Sequence, residues 1–170
     1  TNQDIKMISI KRIQIFLPVI LAFLLAGQNG YGSQKQNFFI EAYGGAGDGT
    51  TLNTAAIQKA IDTAAADGGG RIVFSSGKYL SGTLVLKSGI ELHIKPDAVL
   101  LGSTCPEHYH RLTPADAPVS PKEDDNSKLA LLLAHNASHI SITGNGTIDG
   151  QGRELALTID SLHFKGIRID

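Results

Sequence analysis

Ser88-Gly89-Ile90-Glu91-Leu92-His93-Ile94 can be laid over Ser138-His139-Ile140-Ser141-Ile142-Thr143, 50 residues further along the chain. Both stretches run into a turn and then another apolar strand, Val99-Leu100-Leu101 in one case and Gly146-Thr147-Ile148 in the other. Between them lies a polar, proline-containing block from Ser103 to Lys128. Removing its roughly 25 residues leaves a spacing near 25, and a weak repeat of short strands at such a period marks a solenoid. Arg71-Ile72-Val73-Phe74, Tyr79-Leu80 and Thr83-Leu84-Val85-Leu86 read as further strands, punctuated by Gly77, Gly82 and Gly89. No helical pattern lies between these strands, which excludes alternating strand and helix units. A β-sandwich is the rival architecture.

Upstream the period changes. Ile57, Ala60, Ile61, Ala64 and Ala65 form one stripe of an amphipathic helix from Thr54 to Asp67. Asn53 or Thr54 is expected to cap its free N–H groups through a side-chain oxygen. Gly68-Gly69-Gly70 is expected to end it, because glycine takes the left-handed C-terminal conformation without strain. A solenoid's first coil exposes an open sheet edge that must be covered. This helix is placed to cover it.

The chain has 170 residues with 19 glycines, 10 Phe and Tyr together, and no Trp. That composition suits many short strands and fits a helix bundle poorly. A net charge of -1 argues against a nucleic-acid partner. The single cysteine, Cys105, excludes an intramolecular disulfide. Met7, the basic pair Lys11-Arg12, the apolar run Ile13 to Ala26 and the small residues that follow form a secretory signal pattern. The run is short of the ~20 residues that span a membrane, although an N-terminal anchor is the alternative. Residues 1–32 are therefore expected to be leader, with Thr1 to Lys6 preceding the initiator. Residues 33–170 are expected to fold, in a secreted or periplasmic protein with no membrane contact after signal removal.

Several pieces, in this order, resemble glycoside hydrolase family 28, the polygalacturonases and their exo-acting and rhamnogalacturonan-cleaving relatives. They are Gly47-Asp48-Gly49, Asn53-Thr54-Ala55-Ala56-Ile57-Gln58-Lys59-Ala60-Ile61-Asp62, Gly68 to Phe74, Gly77 to Leu84, Leu86-Lys87-Ser88, Leu101-Gly102-Ser103 and Ile142 to Gly152. The resemblance covers residues 38–152. It implies an all-β fold, a right-handed parallel β-helix (a pectin-lyase-like solenoid) with an N-terminal capping α-helix. It also implies inverting hydrolysis of pectin or rhamnogalacturonan, in which one carboxylic acid protonates the leaving oxygen and others activate water. The family carries that chemistry on an Asn-Thr-Asp strand end, an Asp-Asp pair, a Gly-His-Gly turn and an Arg-Ile-Lys strand. None of these occurs before Asp170, so no catalytic residue is expected in this chain. It reads as the front portion of the enzyme, inactive alone. A β-helix polysaccharide lyase and a non-catalytic solenoid adhesin or tail-fibre module are the alternatives.

Other candidate residues have structural explanations. Asn53-Thr54-Ala55 lacks the carboxylate of Asn-Thr-Asp and starts a helix. Glu123-Asp124-Asp125 sits in the polar block, and Arg168-Ile169-Asp170 lacks the final Lys. Asp149 is expected to bond nearby N–H groups in the turn after its strand. His108 and His110 would share one face of a strand, but a metal needs three or four convergent ligands; no metal or cofactor is expected. Gly144, Gly146 and Gly150 lack dinucleotide-loop spacing. Asn136 and Asn145 head formal glycosylation sequons but read as turn residues. After Gln151-Gly152, where many family members carry aromatics, Leu155, Leu157, Ile159 and Leu162 continue as an irregular or helical excursion.

Overall fold

The computed structural model describes residues 35–110 and 129–165. The expected leader, Glu123-Asp124-Asp125 and Arg168-Ile169-Asp170 lie outside them. Elements run β1 (Asn37–Phe39), a 3-10 turn (Ile40–Tyr43), β2 (Asp48–Leu52), α1 (Thr54–Ala66), β3 (Gly70–Phe74), β4 (Gly77–Ser81), β5 (Leu84–Leu86), β6 (Ile90–Ile94) and β7 (Ala98–Gly102). A second 3-10 turn (Pro106–His108) precedes β8 (Leu132–Ala134), β9 (Ser141–Gly144), β10 (Thr147–Asp149) and α2 (Gly152–Phe164).

Every strand pairing is parallel, and three sheets form: β1-β3-β6-β9, β2-β4-β7-β10, and β5-β8. The chain visits the sheets in turn, so each circuit stacks on the last and the structure is a parallel β-helix. The register of the repeat is the one read from sequence. Glu91 pairs with Ser141 and Leu92 with Ile142, and the hydrogen-bonded His93 and Thr143 are 50 residues apart. The coil itself is shorter than the expected 25, since the stacked pair Arg71 and Glu91 are 20 residues apart.

Alternation along each strand sorts side chains inward and outward. The inward column Phe38, Ile72, Leu92, Ile142 runs through the first sheet, and Tyr79, Leu100, Ile148 through the second. Leu84 over Leu132 continues the interior in the third. Phe74 and Tyr79 meet edge to face with centroids 5.6 Å apart, the arrangement that aromatic quadrupoles favour. The columns are buried in the lower coils but emerge at Ile142 and Ile148, which are 51% and 40% exposed.

Helix α1 buries Ile57, Ala60, Ile61 and Ala64 completely, as the stripe predicts. It packs against β1, β3, β5 and the first 3-10 turn. Its end matches the expectation: Gly68 and Gly69 have φ of 91° and 114°, and their N–H groups bond Ala65 and Ala64 carbonyls. This is the paired C-terminal motif that glycine permits. Its start does not match. No side chain caps α1. Asn53 is instead buried, donating to the Ala46 and Thr51 carbonyls and accepting from the Ala46 N–H. The Thr54 hydroxyl accepts from the Gly82 N–H. Both polar groups pair with neighbouring backbone in part-buried hydrogen bonds, which take the place of the cap.

Candidate functional site

The densest cluster of charged groups among the described residues lies on the outer face of the first sheet. Outward positions form two rows across the stacked coils: Asn37, Arg71, Glu91, Ser141, and Phe39, Val73, His93, Thr143. Glu91 is the hub. Its carboxylate accepts from Arg71 Nε at 2.8 Å and from Thr143 Oγ1 at 2.7 Å, and Lys35 Nζ lies 3.5 Å away. Only 6% of Glu91 is exposed, although it points away from the core. Burial alone would raise its pKa. The Thr143 and Arg71 hydrogen bonds, with the positive charges of Arg71 and Lys35, outweigh burial and hold it below the ordinary glutamate value. A general acid needs the opposite shift, so Glu91 is a fixed anion.

That anion sets the neighbouring histidine. A carboxylate only accepts, so Thr143 gives its one hydroxyl proton to Glu91. His93 Nδ1 lies 2.8 Å from the same Thr143 oxygen and must donate to it. Hydrogen-bond accounting thus assigns the Nδ1–H form of the ring, leaving Nε2 as an acceptor when His93 is neutral.

Four other carboxylates, Glu41, Asp48, Asp62 and Asp149, are engaged locally. Tyr79 donates its hydroxyl to Glu41. Burial, then the bond to Glu41, push the Tyr79 pKa up. Burial works against ionisation of Glu41, but the bonds from Tyr79, its own backbone and Ser75, with the charge of Lys95, together outweigh it and the carboxyl stays below its usual value. Asp48 accepts from Thr51 Oγ1, Thr51 N and Thr50 N, which hold its pKa well below the normal range. Asp62 pairs with Lys87 at 2.7 Å. Asp149 accepts from Gln151 N at 2.9 Å, the turn bond its position implied.

His108 does not share a strand face with His110. It ends the Pro106–His108 turn, and its Nδ1 lies 2.7 Å from Ser103 Oγ. Proline at the first position of that turn and the buried Tyr109, whose hydroxyl donates to Ser103 O, favour a tight loop over a strand. Cys105 is a half-buried free thiol whose N–H donates to Ser103 Oγ. No group of three or more potential metal ligands converges among the described residues. Asn136 adopts φ of 49°, in keeping with a turn asparagine.

Residues 38–96 match the family model described as rhamnogalacturonase A/epimerase, pectate lyase-like. The exo-poly-alpha-D-galacturonosidase of Dickeya chrysanthemi is 40% identical over 121 residues, covering 66% of this chain and 19% of that protein. The chain is polygalacturonase-like. Among solved structures, the family 28 exopolygalacturonase of Yersinia enterocolitica superposes with TM-score 0.56 at 35% identity, over 69% of this chain and 21% of that one. The polygalacturonase of Erwinia carotovora gives 0.52 at 27% identity, over 72% and 31%. This polygalacturonase-like chain spans 19% to 23% of the length of the curated relatives it matches.

The Glu91 cluster carried no motif that sequence reading could use. Its members are separated by 20 and 52 residues and meet only because coils stack. The one signal was register, which sets Arg71, Glu91 and Ser141 in a single row once the repeat is aligned.

Proposed function

We propose that the chain forms the N-terminal cap and first coils of a secreted glycoside hydrolase acting on galacturonate-containing pectin. The 40% identity to an exo-poly-alpha-D-galacturonosidase, spread over stacked coils rather than one motif, carries this reading. In it the β-helix is right-handed and α1 closes its first turn. Inverting hydrolysis places an acid and a base about 6.5–9.5 Å apart across the glycosidic bond. The described carboxylates at Glu41, Asp48, Asp62, Glu91 and Asp149 are instead tied to nearby donors. In this reading the catalytic pair belongs to later coils, as the family resemblance implies. The early coils serve as the rigid scaffold on which those groups are held.

Release of reducing ends from polygalacturonate by the full-length protein tests the reading. A β-elimination product that absorbs in the ultraviolet would replace hydrolysis with lyase chemistry. Binding with no cleavage would favour a non-catalytic solenoid. N-terminal sequencing of the exported protein tests secretion, with residues 1–32 expected to be absent.

A further inference from the structure

We propose that the outer face of the β1-β3-β6-β9 sheet is a non-catalytic binding surface for a hydroxyl-rich anionic polysaccharide, in which Lys35, Arg71 and Lys95 meet carboxylates and His93 meets a hydroxyl. The polymer class rests on the galacturonate reading; the surface itself rests on its own geometry. Parallel stacking makes this face flat and regular, with neighbouring strands about 4.8 Å apart, so chemically similar positions recur along the coil axis. Three cations lie on it. The Lys35 and Arg71 side chains remain 40% and 38% exposed while sharing one carboxylate that is itself only 7% exposed. Lys95 sits 5.6 Å above the ring of Phe39, which is 43% exposed. Two anions act nearby: Glu91, buried beneath the cations, and Glu41, whose field reaches Lys95 and whose carboxylate is bound by Tyr79. The face therefore carries net positive charge on a chain whose total is -1.

The cations are held rather than floating. Glu91 fixes Arg71 through Nε, which orients the rest of its planar guanidinium for a second partner. An ordered guanidinium loses less entropy on binding than a free side chain. The Glu91 and Thr143 chain also fixes the His93 ring, so its acceptor nitrogen is set in advance. Phe39 supplies an exposed apolar ring next to the charges. Fixed cations, an oriented acceptor and an aromatic plate match a sugar that bears carboxylate, hydroxyl and C–H faces together.

Affinity electrophoresis of the full-length protein through gels containing polygalacturonate, or an uncharged galactan, tests the surface. Polygalacturonate is expected to retard the wild type, and added salt to weaken the effect. Lys35→Gln with Lys95→Gln should weaken retention at least about fivefold. Asn37→Glu, at an exposed position beside Arg71, should weaken it without removing any existing contact. Melting temperature checks the fold of both variants. Retardation unchanged in both, or equal retardation by the uncharged polymer, would overturn the surface. Hydrolysis by the wild type is scored separately, so a galacturonate-cleaving protein with no loss of retention in the variants overturns this inference alone.

Discussion

Gln58 on α1 pairs its side-chain amide with the backbone of Val85 on β5, donating to the carbonyl at 3.1 Å and accepting from the N–H at 2.9 Å. One side chain thereby does for the first edge of the third sheet what Leu132 to Ala134 do for its other edge. A strand edge left open to water recruits other chains. The amide closes it with the donor and acceptor that a neighbouring strand would present.

Gln58→Ala should therefore strand both Val85 groups and cost about 1–3 kcal/mol. Gln58→Glu keeps the acceptor and loses the donor, so it should fall between Ala and wild type. Chemical denaturation of the three proteins reads the order. Equal midpoints would show that water replaces the amide without loss.

Ile61→Asp asks a harsher question of the same helix. Ile61 is fully buried against the coils. An unpaired carboxylate there should cost several kcal/mol, about 3 or more, with soluble yield falling accordingly. Unchanged circular dichroism and melting would mean that α1 is not packed on the solenoid.

Acid should loosen the stack through Glu91. Its pKa in the folded state lies below the ordinary 4.5. The stability it contributes is thus complete above the unfolded-state value and is lost as pH falls through the folded one. Denaturant midpoints measured from pH 7 down to about pH 3 should fall, and Glu91→Gln should be less stable at neutral pH with a flatter acid limb. An identical acid limb in the variant would assign the loss to other carboxylates.

Three successive coils turn at Gly69, Gly89 and His139, with φ of 114°, 79° and 58°. The first two approach so closely that a Cβ on Gly69 would meet the Gly89 carbonyl oxygen at 2.9 Å. His139 occupies the same left-handed turn with a side chain. His139→Gly should stabilise the protein by about 1 kcal/mol, and Gly89→Ala should destabilise it. A rise in melting temperature for the first and a fall for the second are the expected pair.

Asp149→Asn in the full-length protein should leave polygalacturonate hydrolysis within about twofold of wild type, because an amide oxygen can still accept from Gln151 N in the turn. Loss of activity with unchanged KM and an unchanged melt would make Asp149 a participant in the chemistry.

What could be read from the sequence followed from local pattern. The α1 stripe, its glycine end and the alignment of Ser88 with Ser138 all survive in the structure because periodicity and turn chemistry act over a few residues. Helix α2 also takes up the leucines after Gly152, burying Ile159 while leaving Leu157 exposed. Strands β1 and β2 were not legible. Asn37–Phe39 is very short, and Asp48-Gly49-Thr50 has the composition of a turn; both become strands only by pairing with β3 and β4. The role of Asn53 was hidden for the same reason, since its partner Ala46 lies across a loop rather than along the helix.

Thr83 touches two separate stretches of chain: its hydroxyl donates to the Ala130 carbonyl at 2.8 Å and accepts from the His110 N–H at 3.1 Å. His110 and Ala130 are thus held at one peg, while Leu84 and Leu132 stay in register beside it. Between two points held in this way, doubling the length of a connecting loop adds only about 0.6 kcal/mol of closure cost. Sequence lengthened or exchanged between His110 and Ala130 should therefore leave the coils in alignment, making this a point of the solenoid where new surface is cheap to acquire.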